Sequence, residues 1–261
     1  MKIVRYRDAE GVSYGQRNGD KIYRIQGDIF ATYRVTGEEV NAKQVKFLAP
    51  VLPPNIFAIG LNYRQHARET GHELPDKPVI FIKATTSVTG PSMEIKLPEM
   101  APEKVDYEAE LAVIIGRKAR NIEEDEVDNY ILGYTCANDV SARDCQHELD
   151  VQWARAKSFD TFCPLGPSIE TELEPDDLFI RSYLNGKVMQ ESRTSDMIFS
   201  VPKLVSYLSR NFTLLPGTVI LTGTPEGVGF AREPQVFMRP GDEIEIEIEG
   251  IDTLCNQIKG E

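Results

Sequence analysis

Short apolar or alternating runs, each ended by glycine, proline or asparagine, fill most of this 261-residue chain. Runs of about four to eight residues suit strands, since a helix that short buries little. They fall at 2–6, 21–25, 55–60, 79–82, 105–115, 130–140, 178–184, 187–191, 218–222 and 243–249. Asn185-Gly186 joins two of them and is the strongest short hairpin signal, and Gly19-Asp20 suits another tight turn. Helical patterning is brief, at 62–69, 123–129, 142–149 and 201–209. The expected fold is mainly antiparallel β with a few helices, an α+β chain and not a bundle or a regular βαβ repeat. Pro53-Pro54 stiffens the backbone and marks an expected boundary between a small β-rich N-terminal domain, 1–52, and a larger one, 53–261. The smaller piece is too short to hold much core and should pack against the larger domain.

Apolar residues supply 41% of the chain and charged residues 27%, which excludes a disordered or collagen-like polymer. The net charge of −12 has the wrong sign for a nucleic-acid partner. No run of about 18 apolar residues offers a membrane span, and residues 1–8 lack the apolar stretch of a secretion signal. Cys136, Cys145, Cys163 and Cys255 form no CxxC pair, which argues against a thiolate zinc site or a redox dithiol. These features set the expectation of a reduced, cytoplasmic protein.

Chemistry-bearing side chains cluster in a few places. Asp106-Tyr107-Glu108-Ala109-Glu110 runs into the apolar stretch 111–115. On a strand Glu108 and Glu110 share a face, roughly 7 Å apart. Entering an interior, two like charges need a proton, a basic partner or a hard cation such as Mg²⁺, Mn²⁺ or Ca²⁺. The competing reading is one solvated face of a sheet, as in the alternating glutamates of 243–249. Asp139 ends another apolar run, where an acid also serves as a helix cap. His66 and Glu69, if helical, are neighbours one turn apart, which suits either a base with its orienting carboxylate or an exposed ion pair. Lys157 lies in a partly apolar context. The stretch Leu221-Thr222-Gly223-Thr224-Pro225-Glu226-Gly227-Val228-Gly229 is a strand running into a glycine-rich turn that fits no nucleotide motif.

Taken together and in order, these segments resemble the fumarylacetoacetate hydrolase superfamily. The resemblance is carried by 59–63 with His66, by 106–111, by 133–144, by Ala156-Lys157-Ser158-Phe159-Asp160 and by 222–229, and it spans about 53–258. It implies a mixed β roll, usually a homodimer, with the short N-terminal portion of the compact bacterial-type members. It further implies that Glu108, Glu110 and Asp139 are carboxylate ligands of Mg²⁺ (or Mn²⁺). His66 and Glu69 match the family's water-activating dyad, carried on a lid, and Lys157 the lysine beside metal and carbonyl. Arg143, Gln146 and Thr224 match positions that contact substrate.

Such a constellation is expected to cleave a C–C bond in an acylpyruvate-type keto acid and release pyruvate. The same metal-enolate chemistry would serve an alternative, isomerisation of 2-hydroxyhepta-2,4-diene-1,7-dioate or decarboxylation of a β-keto acid such as oxaloacetate. A metal-dependent keto acid binding module is the non-enzymatic alternative; it would need no His66/Glu69 pair.

Overall fold

The computed structural model describes residues 1–149 and 151–261. Alternation near the N-terminus becomes a meander of β1 (Lys2–Asp8), β2 (Gly11–Asn18), β3 (Lys21–Gly27) and β4 (Tyr33–Asn41), each antiparallel to the next. Gly19, at φ +60°, makes the β2–β3 turn in a backbone region that costs glycine little. β5 (Lys46–Leu48) pairs with the other edge of β1.

Then come β6 (Ile56–Gly60), β7 (Val79–Lys83), β8 (Val88–Thr89), β9 (Glu94–Leu97), β10 (Val105–Asp106), β11 (Ala109–Ile115), β12 (Ile131–Asn138), β13 (Ser141–Ala142) and β14 (Cys163–Glu170). The last five are β15 (Phe179–Leu184), β16 (Lys187–Arg193), β17 (Val219–Leu221), β18 (Glu243–Ile248) and β19 (Leu254–Gly260). Pairing of β1 with β14 carries the N-terminal meander into a 12-stranded sheet, β4-β3-β2-β1-β14-β12-β11-β17-β6-β7 with β5 and β8 alongside. A second sheet runs β16-β15-β18-β19-β9. Ile180, Ile244 and Ile246 of the second sheet share one core with Leu111 and Val113 of the first, while the glutamates of β18 alternate outward, half-buried. β6–β17, β8–β14 and β9–β19 are parallel and the remaining pairs antiparallel. The result is a strand-dominated, mixed α+β roll.

Among the described residues, three α-helices complete it: α1 (Arg64–Glu69), α2 (Trp153–Ala156) and α3 (Val201–Asn211). α3 is amphipathic and buries Val201, Leu204, Val205 and Leu208. Among the described residues, no helix is long and apolar enough to cross a membrane.

Two local expectations change. The strand expected over 105–115 breaks at Tyr107-Glu108, because the Asn138 side chain takes the Glu108 N–H (2.9 Å) where a ladder carbonyl would otherwise stand. The helix expected over 142–149 forms with a later start and a wider pitch: Ala142 belongs to β13, paired with β10, and the helical run from 143 opens into a π-helix at Cys145–Leu149.

Candidate active site

The β11–β12 ladder sets the carboxylates. Ala109 pairs with Asn138 and Glu110 with Ala137, and the Asp139 N–H donates to the Glu108 carbonyl at 2.9 Å. Asp139, just past the end of β12, is thereby brought against Glu108 and Glu110. Oxygens of the three carboxylates lie within 4.8 Å of one another. All three residues are buried, at 6%, 1% and 0% exposure, so the solvated-face reading of 108/110 does not apply.

Buried like charges at that separation require compensation, and it is unevenly supplied. Lys157, the C-cap of α2, directs Nζ at Glu108 Oε2 (2.7 Å), Asp139 Oδ2 (2.6 Å) and Ser141 Oγ (2.7 Å). Lys83, the last residue of β7, is fully buried and ion-paired to Asp139 Oδ1. Arg143 Nη2 reaches Glu108 Oε1 at 2.7 Å. Burial alone would raise the Glu108 carboxyl, but Lys157 and Arg143 outweigh it and hold the group down at about 2. Among the described residues, Glu110 accepts a single hydrogen bond, from the Gly223 N–H at 2.6 Å. Burial, with Asp139 and Glu108 adding to it, pushes Glu110 well above the ordinary carboxylate range. An all-oxygen donor set holding one uncompensated buried carboxylate fits a hard divalent cation, which would take the place of the proton on Glu110.

α1 brings in the imidazole. Its entry is fixed by Asn62, buried, whose Nδ2 donates to the Phe199 and Thr222 carbonyls and whose Oδ1 accepts the Phe199 N–H. Gly223, at φ +100°, allows this approach; a Cβ there would lie 2.7 Å from that of Asn62. Arg64 donates to the Asp196 and Met197 carbonyls, pinning the helix to the loop before α3. His66 Nδ1 sits 2.9 Å from Glu69 Oε1, and the same carboxylate accepts the Gly227 N–H at 2.9 and 3.1 Å. With Nδ1 engaged, Nε2 is the nitrogen left for a ligand.

One cavity of about 430 Å³ is lined by His66, Glu108, Glu110, Asp139, Arg143, Gln146, Lys157 and Thr224, and Glu69 stands behind His66. Every residue singled out from the sequence is thus gathered at one place. Arg143 Nη1 donates to Gln146 Oε1 (2.8 Å). The Thr224 hydroxyl is already engaged, donating to the Ala109 carbonyl and accepting from Gln190 Nε2. Sequence reasoning passed over Lys83, Asp106 and Gln190. Asp106 accepts the Gly229 and Phe230 N–H groups and Arg143 Nε at 2.8–2.9 Å, and so ties the arginine to the glycine-rich turn. For Lys83 the available signal was a lysine closing an otherwise apolar strand.

A β roll that sinks three carboxylates and an imidazole into one cavity offers a candidate site for metal-assisted chemistry. Comparison with known proteins gives the family. The family described as Fumarylacetoacetate (FAA) hydrolase C-terminal matches residues 55–259, and that described as Rv2993c-like, N-terminal, matches residues 1–50. The chain belongs to the fumarylacetoacetate hydrolase family. It is 44% identical over 219 residues to the mitochondrial oxaloacetate tautomerase Fahd2a of Rattus norvegicus, covering 82% of this chain and 70% of that one. A solved 2-hydroxyhepta-2,4-diene-1,7-dioate isomerase from Mycobacterium marinum is 40% identical, with TM-score 0.90 over 100% of this chain and 99% of that one. A fumarylacetoacetate hydrolase from Exiguobacterium antarcticum is 35% identical, with TM-score 0.91 over 100% of both chains. Site and kinship together support metal-assisted enzymatic chemistry on a keto acid.

These relatives correct the expected location. The rat, frog, cattle and human tautomerases are mitochondrial, so the cytoplasmic assignment is withdrawn. Its premise was too narrow: lack of an apolar leader bears on secretion alone, whereas mitochondrial leaders are amphipathic and arginine-rich.

Proposed function

We propose that this protein is a Mg²⁺-dependent tautomerase or isomerase of 2-keto acids, moving a proton between the α-keto acid and its enol. One observation carries the reading: an imidazole with an orienting carboxylate shares a cavity with a three-carboxylate cation cradle. The relatives add weight, since the tautomerase and isomerase are 44% and 40% identical and the hydrolase 35%. Hydrolytic release of pyruvate therefore gives way to isomerisation, its alternative.

Glu108, Glu110 and Asp139 would hold the cation. When bound, it supplies a Lewis acid that grips the keto acid's oxygens and lowers the cost of charge on the enolate. His66 Nε2 accepts the proton that leaves the enol oxygen and delivers one to the carbon beside the carbonyl, while Glu69 keeps Nδ1 protonated and the ring in place. Lys157 offsets the substrate's negative charge beside Glu108 and Asp139. Arg143, held by Asp106 and Gln146, offers its remaining Nη1 hydrogen to the substrate carboxylate. The burial of these groups strengthens each interaction. The balance is simple: one proton leaves oxygen and one joins carbon, with no water consumed.

The test is the decay of enol-oxaloacetate absorbance with Mg²⁺ and with EDTA, beside pyruvate release from acetylpyruvate. Mg²⁺-dependent tautomerisation without pyruvate release supports the proposal. Release of pyruvate at a comparable kcat/KM would return the protein to hydrolysis.

A further inference from the structure

The cavity continues past the carboxylates, and the character of its wall changes there. Phe81 lies beside Lys157, whose Nζ is 5.3 Å from the ring centroid. Trp153 meets Phe81 edge to face, with centroids 5.7 Å apart at 81°. Ile59, Leu61 and Val79 line the same cavity. Gly60 makes room for the indole: a Cβ at that position would fall 2.4 Å from Cζ3 of Trp153. The wall is therefore built of aromatic and aliphatic groups, and the tryptophan depends on a glycine across from it.

Charge is the second half of the argument. Lys157 and Arg143 are the only lysine and arginine among the described lining residues. The three ammonium hydrogens of Lys157 go to Glu108, Asp139 and Ser141. Arg143 donates Nε to Asp106 and one Nη1 hydrogen to Gln146, and its Nη2 lies at ion-pair distance from Asp106 and Glu108. Its charge is therefore held beside the carboxylate cluster, where the keto acid head would sit. His147 stacks on Phe230 at 4.9 Å; burial, Arg143 and Lys157 push it below the ordinary imidazole range. His72 is exposed at the rim. A second carboxylate at the outer end would leave water without a fixed cation to receive it, whereas an apolar tail meets a ready-made surface.

We propose that the site takes 2-keto acids bearing a bulky, uncharged tail, aryl or branched alkyl, in preference to keto diacids, with Trp153 and Phe81 as the specificity-determining residues. This rests on the placement of the keto acid head at the carboxylates. The tautomerase name of the rat relative speaks of a diacid, so the proposal also separates this chain from that protein.

Trp153 is the single tryptophan of the chain, so its fluorescence reports occupancy of the wall itself. The experiment titrates the full-length, Mg²⁺-loaded protein with two unreactive probes sharing one head, N-phenyloxamate and N-oxalylglycine, by fluorescence and calorimetry. N-phenyloxamate should bind at least about tenfold more tightly. In Trp153→Ala, read by calorimetry, and independently in Phe81→Leu, that ratio should shrink at least about fivefold. Equal or tighter binding of N-oxalylglycine, a ratio unmoved in both variants, or no binding of either probe would overturn the proposal. Turnover is not the readout: a retained preference in a protein that tautomerises nothing would sink the tautomerase reading and leave this one standing.

Discussion

Replacing Glu110 with glutamine tests the carboxylate cradle most directly, because the sign of the effect is unusual. At the 4.8 Å limit of separation, two unit charges repel by about 3.5 kcal/mol at an effective dielectric of about 20. Glu108 and Asp139 each have basic partners at hydrogen-bonding distance. Glu110, ionised, feels both neighbours with the Gly223 N–H and the more distant Lys157 charge in return, which burial and the two acids outweigh. Glutamine keeps an oxygen for that N–H and removes the charge. In EDTA at about pH 8 the variant should be more stable than the wild type by about 1–3 kcal/mol, or roughly 2–10 °C in Tm for a chain this long. The gain should fade in acid. A carboxyl raised on folding binds its proton more tightly in the native state, so wild-type stability falls as pH rises from the unfolded value near 4.5 through the raised one. Below that window Glu110 is protonated and matches glutamine in charge. With Mg²⁺ at about 100 times its Kd, the wild type should gain about 2.7 kcal/mol and the variant far less. Scanning calorimetry across pH, with EDTA and with Mg²⁺, reads all of this. A variant less stable than wild type in EDTA at high pH, or one gaining as much from Mg²⁺, would refute the reasoning.

His66→Ala should lower kcat for tautomerisation by about 10²–10⁴ while the Mg²⁺-induced rise in Tm persists; loss of that rise would place His66 in the metal set instead. Lys157→Met strips Glu108 and Asp139 of a shared ammonium and should cost about 3–5 kcal/mol in EDTA by urea unfolding, with Mg²⁺ restoring part of it. Asp106→Asn turns an amide towards the Gly229, Phe230 and Arg143 donors. Stability should drop by about 1.5–3 kcal/mol, and KM for the keto acid should rise more than kcat falls, which an intact Arg143 would not show.

Strand periodicity made much of this molecule readable in advance. The hairpin at Asn185-Gly186 joins β15 and β16 as expected, and the apolar runs at 56–60 and 131–138 became buried strands. The pairing of β1 with β14 is longer in range, spanning about two-thirds of the chain, and nothing local in 2–8 encodes that partner. The Glu108/Glu110 signal pointed to the right place for an incomplete reason. Alternation along an unbroken strand was assumed, whereas Asn138 interrupts the ladder at Glu108 and a third acid arrives from the neighbouring strand. Such convergence is tertiary, and spacing within one segment does not contain it. Lys83 and Asp106 escaped for the same reason: each looks like an ordinary charge at a strand end, and only the fold buries it against an opposite one. The helix at 143–149 was legible, but its π pitch over Cys145–Leu149 was not, since polar spacing over so few residues does not distinguish the two pitches.

One carboxylate, Glu69, holds the imidazole with one hand and the Gly227 backbone with the other. Because one side chain takes both, the orientation of the ring and the seating of α1 against the glycine-rich turn are set together, and neither can be adjusted without the other.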